Sequence, residues 1–165
     1  MSIDPKMRAF TSPALTAAAL VAMMASAPAF AADYVQAPGS KLATSKLDVM
    51  IPLAGASTGN GDRDSTLKGA DFFNVARFAQ AQYSASKFRS LGGNQYAADG
   101  TLNLRGVSKP VTLTFTWTPG AKPVLAGKAT VKRLDFGVGG GDWADTRTIP
   151  DEVAVSTRVV LVPAK

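Results

Sequence analysis

Residues 100–119, GTLNLRGVSKPVTLTFTWTP, constrain the fold more than any other stretch. In their second half Val111, Leu113, Phe115 and Trp117 alternate with Thr112, Thr114, Thr116 and Thr118. Side chains on a strand repeat every two residues, so this segment has one apolar and one wet face. Arg105, Gly106, Val107 and Ser108 read as a turn. Pro110 then falls where the second strand starts, a place a strand tolerates it. The prediction is an antiparallel hairpin whose apolar face needs a cover. That cover is either a core or a ligand.

The same alternation continues on both sides of the hairpin. Leu47, Val49, Ile51 and Leu53 alternate with Lys46, Asp48, Met50 and Pro52, predicting a strand at or near a sheet edge. Residues 34–42 predict a short edge strand. Asp62 is expected to cap a short helix that ends at Gly69. Residues 82–89 predict a strand with Tyr83 and Phe88 on opposite faces. Residues 124–133 predict another. Val153, Val155, Thr157, Val159 and Leu161 mark the last, with Arg158 outward. Six strands and an optional seventh, separated by turn signals, suggest an antiparallel barrel or sandwich.

The chain begins differently. Lys6 and Arg8 precede an apolar run from about Ala14 to Met24, and Ala29-Phe30-Ala31 has the small-x-small pattern of a signal-peptidase site. Residues 1–31 therefore read as a secretory signal peptide, with Met1 or Met7 as the start, and residues 32–165 as one domain. No transmembrane segment is expected after its removal.

Composition removes several function classes. The sequence has no His and no Cys. Ser-His-Asp hydrolysis, Cys-His chemistry, disulfides and the usual zinc sites are excluded. The formal net charge is +6, but the basic residues are scattered, which argues against a nucleic-acid partner. Asp62, Asp64, Asp142 and Asp145 could offer oxygen ligands to calcium, but their spacing fits no EF-hand, and capping or turn roles are expected. No catalytic residue, metal or cofactor is assigned.

Three stretches carry a resemblance: GDRDSTLKGADFFNVARF at 61–78, GTLNLRGVSKPVTLTFTW at 100–117 and RLDFGV at 133–138. In this order they resemble the YceI-like family of secreted bacterial proteins, over most of residues 47–160. The resemblance implies an all-β, antiparallel, lipocalin-like β-barrel of eight strands. It also implies an apolar lumen for a polyisoprenoid chain and a periplasmic location. Relative to that pattern, a block is absent at about Ala43/Thr44, equivalent to about two strands. Strand number, tilt and stagger are linked in a barrel. The expectation is thus an open barrel, or one completed as a homodimer.

Candidate ligand-binding residues follow: the inward set Val111, Leu113, Phe115 and Trp117, with Phe72 and Phe73 near one end, and Phe78, Phe88, Phe136 and Trp143. For any one of them plain core packing is an equal reading. Arg63, Lys68, Arg77 and Arg133 are candidates for a pyrophosphate head group. The function expected is a periplasmic carrier or store for an isoprenoid or similar long apolar lipid, not an enzyme. The rivals are a structural or stress-response barrel with a filled core, an enzyme using Tyr or carboxylates, and an outer-membrane barrel. The last lacks an aromatic girdle and a terminal aromatic.

Overall fold

The computed structural model describes residues 30–34, 42 and 45–160. Seven antiparallel strands pair in strict sequence order. They are β1 (Phe30–Tyr34), β2 (Leu47–Pro52), β3 (Gln80–Gly92), β4 (Gln95–Leu104), β5 (Val107–Thr118), β6 (Val124–Lys132) and β7 (Glu152–Val160). One helix, α1 (Gly61–Lys68), lies between β2 and β3. The sheet curls into a half-barrel, with β1 and β7 as its two edges. The expected open, antiparallel, barrel-like architecture is what forms. The predicted signal segment up to residue 29 and most of the predicted first strand, 35–41, lie outside the described residues. β1 spans the expected cleavage point at Ala31.

Alternation positions the core. Leu113, Phe115 and Trp117 are buried while Thr112, Thr114, Thr116 and Thr118 face solvent. Across the ladder Phe115 stands opposite Tyr96 and Gly127, and Trp117 opposite Leu125. Residues opposite each other in an antiparallel pair share a face. One inner surface therefore runs from Leu47 and Val49 to Val153 and Val159, all in a single hydrophobic cluster.

Four local expectations are corrected. The β4–β5 turn has two residues, not four: Leu104 pairs with Val107, and Arg105 and Gly106 take φ of 53° and 75°. Two successive left-handed residues match the twist of a tight hairpin, which a four-residue reading missed. Pro110 consequently lies inside β5, opposite Thr101. It is tolerated because β6 pairs β5 only from Thr114 to Thr118, so β5 is an edge at that level.

Tyr83 and Phe88 share the inner face instead of lying on opposite ones. Ala85 pairs with Gly100 and Lys87 with Asp99, so Ser86 is the extra residue of a bulge. One inserted residue reverses the facing of everything after it.

Asn60, not Asp62, caps α1. Its side-chain oxygen accepts from the backbone N–H of Asp62 and of Arg63, each at 3.1 Å. Asp62 sits in the first turn, where its charge suits the helix dipole. Arg133, the fourth, is a buried structural residue and not a head-group ligand, for the reason given below.

Candidate functional site

Strand direction sorts the connections to two ends. The β4–β5 turn, the segment 53–79 and the loop 133–151 share one end. The β3–β4 and β5–β6 turns lie at the other.

The candidate residues divide accordingly. Phe72, Phe73 and Phe136 are fully buried with Leu67, Val138 and Ile149, and they plug the first end. Trp143 covers Phe72 from outside: the ring centroids are 5.5 Å apart, and Trp143 remains 39% exposed. Phe78 packs against the same cluster at its margin. It is half-buried, with its ring close against Gly106 and the Arg77 guanidinium 5.3 Å from its centroid.

Toward the other end Phe115 is the centre of an aromatic group. Tyr96 stacks on it at 5.6 Å with 26° between planes, and Phe88 meets it edge-on at 6.3 Å. Trp117 follows on the same face of β5, with Val111 and Leu113 on its other side. Small residues occupy the inner face between the two ends: Ala85, Ala98, Gly100, Gly127 and Ala129. Larger neighbours lean over two of them. A Cβ on Gly127 would lie 2.9 Å from Leu113, and one on Gly100 would lie 2.7 Å from the Tyr83 ring.

Sequence reasoning missed Tyr96 and Tyr83 as inner-face residues. Their alternation within β3 and β4 was visible, but Tyr83 needs the glycine opposite Ala85 to fit. The Tyr83 hydroxyl lies 2.9 Å from the Ala98 carbonyl oxygen and 3.1 Å from that of Val111. Burial pushes its pKa up to about 12, so the phenol is neutral at any physiological pH.

The plugged end is held by two arginines. Arg133 is 1% exposed and, among the described residues, has no carboxylate in ion-pair contact. All five of its N–H groups donate to backbone carbonyls: Nε to Pro150 at 3.0 Å, Nη1 to Val138 at 3.0 Å and Gly139 at 2.5 Å, Nη2 to Trp143 at 3.0 Å and Ile149 at 2.7 Å. No donor is left for a phosphate. Arg105 donates to the carbonyls of Asp71 at 3.3 Å, Ala70 at 3.0 Å and Gly137, joining the hairpin turn to both covering loops.

The acidic residues serve the outer surface and the loops. Asp64 accepts from Ser57 and Thr58, and Asp145 from Arg147; these partners hold both carboxyls below the usual range. Asp99 is held at about 2 by its bonds from Arg89 and Thr112. The inner face thus offers hydrocarbon and aromatic surface rather than acid–base groups. Among the described residues no helix is long and apolar enough to cross a membrane.

This arrangement has close counterparts. The model of the YceI-like domain matches residues 17–161. The chain belongs to the YceI-like family. Among curated relatives it is similar to a UPF0312 protein of Pseudomonas fluorescens, 32% identical over 108 residues, covering 61% of this chain and 56% of the relative. It is also similar to a UPF0312 protein of Yersinia pestis, 39% identical over 71 residues, covering 43% and 36%. The chain thus matches about half or less of the length of these relatives. Burkholderia cenocepacia BcnA superposes with a TM-score of 0.76 at 29% identity, over 80% of this chain and 83% of that one. A YceI protein of Campylobacter jejuni shares the fold, with a TM-score of 0.69 at 20% identity over 100% and 94%.

Proposed function

We propose that this protein is a periplasmic binding or carrier protein for an isoprenoid or similar long-chain apolar lipid, held along the inner face of the curled sheet. The observation that carries the reading is that inner face. It is continuous, its buried strand positions carry no charged side chain, and it is aromatic toward each end and lined by small residues between. Family membership supports it, and the signal-like start of the chain supports the periplasm.

Energy is sufficient. Each buried methylene contributes about 0.8 kcal/mol, so a five-carbon isoprene unit gains roughly 3–4 kcal/mol at best. A few units reach micromolar affinity once ordering costs are met. A surface of this kind selects chain shape above head-group chemistry, consistent with every Arg133 donor being spent on the fold.

One observation favours a second reading, a structural or stress-response module with a filled core. Phe115 and Trp117 are only 4% and 5% exposed, covered by their own neighbours. A lipid would have to part these contacts.

Native mass spectrometry of protein recovered by osmotic shock distinguishes the two. Lipid binding predicts an added mass that disappears when Phe115 or Trp117 is changed to Arg, in variants shown by circular dichroism to stay folded. A mass equal to the polypeptide alone, with no lipid in an organic extract, would establish the filled-core reading.

A further inference from the structure

Lys109 breaks the pattern of the inner face. Register puts it there: it stands opposite Leu102, in the same row of β5 as Val107 and Val111. Residues opposite each other share a face, and Leu102 is buried in the core cluster. Along β2 to β7 Lys109 is the one charged residue in an inner row, among the described residues. Arg105 and Arg133 also turn toward the core, but their donors are spent on backbone carbonyls. Lys109 makes no ion pair among the described residues.

The sheet opens beside it. β6 pairs β5 only from Thr114 to Thr118, so the inner row loses its ladder neighbour from Leu113 toward the β4–β5 turn. Burial falls along the row in step. Trp117, Phe115 and Leu113 are buried, Val111 is half-buried and Lys109 is exposed. At about 3.4 Å per residue, this row runs about 27 Å from a covered apolar end to a wet cationic one. An amphiphile with an anionic head and a long apolar tail has the complementary profile. Lysine also guards open strand edges, but Pro110 next to it already does so here.

We infer that Lys109 is the head-group anchor of the inner face. Its ammonium pairs with the carboxylate or phosphate of an amphiphile whose tail lies along Val111, Leu113, Phe115 and Trp117. The inference rests on the lipid-binding reading and narrows it to anionic amphiphiles. The tail still supplies most of the affinity; the lysine discriminates among ligands with equal tails.

Retinoic acid and its methyl ester share one isoprenoid skeleton and differ in head charge. Both can be titrated through quenching of tryptophan fluorescence. The parent chain should bind the acid about three- to tenfold more tightly than the ester, the range of a solvent-exposed ion pair. Farnesyl phosphate against farnesol repeats the comparison, and the larger ratio tells whether phosphate or carboxylate is preferred. Lys109→Ala should abolish the preference while leaving ester affinity unchanged. Lys109→Glu should reverse it, and Lys109→Arg should keep it. Lys128→Ala, outward on β6, should keep it too. High salt should shrink it in the parent. Lys109 is exposed, so these variants should fold as the parent does, which circular dichroism checks. Equal affinities for acid and ester, or a preference that survives Lys109→Ala, would overturn the inference and reduce Lys109 to an edge guard. A parent chain that binds no member of either pair would overturn the lipid-binding reading as well.

Discussion

The ring of Tyr83 lies directly over Gly100: a Cβ built on the glycine would sit 2.7 Å from the tyrosine Cζ and 2.5 Å from the Ser84 carbonyl oxygen. The phenol reaches the sheet carbonyls of β4 and β5 because nothing stands between. Gly100→Ala should therefore destabilise the protein by about 1–3 kcal/mol, the usual cost of overpacking. Urea unfolding would measure it. Gly61→Ala, where a Cβ meets nothing within 4 Å, is the control and should cost no more than about 0.5 kcal/mol. Equal costs would show that Tyr83 moves aside freely.

The same tyrosine sets an alkaline limit. Its folded pKa of about 12 exceeds the ordinary value of 10, because burial disfavours the phenolate. The folded state therefore holds the proton more tightly. That stabilisation is complete below pH 10 and is lost as pH rises toward 12. Its size is on the order of 2–3 kcal/mol. Tyr83→Phe should flatten stability across this window, seen as a smaller fall in Tm between pH 9 and pH 11.5 on the order of the same energy. An unchanged slope would mean another group titrates there.

Arg133 is a cation solvated by five carbonyl groups instead of water. Arg133→Met leaves those acceptors without donors at the plugged end, and should cost on the order of 3–5 kcal/mol. Arg133→Lys keeps the charge but offers three donors, so a smaller loss is expected. Thermal unfolding would rank the three proteins. A Met variant as stable as the parent would show that water replaces the guanidinium at no cost.

Phe88 tests the bulge. Facing inward against Phe115, it should lose about 1–3 kcal/mol on change to Ala, part of the cost of a fully buried Phe. Lys87→Ala, on the outer face beside it, should stay within about 0.5 kcal/mol. Chemical denaturation gives both values. The reverse order would place Phe88 outside.

Much of this is legible in the residue order. The alternation in residues 111–118 marked the inner set on β5, and the turn residues separated the strands. The gap near Ala43/Thr44 pointed to an open sheet. What escaped has a common cause. Ser86 looks like any strand residue, and only its missing partner across the ladder makes it a bulge. The two-residue turn depends on Arg105 adopting a left-handed conformation, which an arginine rarely takes and a sequence does not display. Arg133 reads as a surface cation until the loop 138–150 is seen to fold around it.

The sequence by itself determined which faces are apolar, because a strand's period of two is written directly in residue order. It also determined what chemistry is absent, because a chain without His or Cys cannot supply it. The tertiary structure alone decided which aromatic meets which and where the cations go. Those outcomes depend on register between segments far apart in the chain, and register is fixed only when the strands pair.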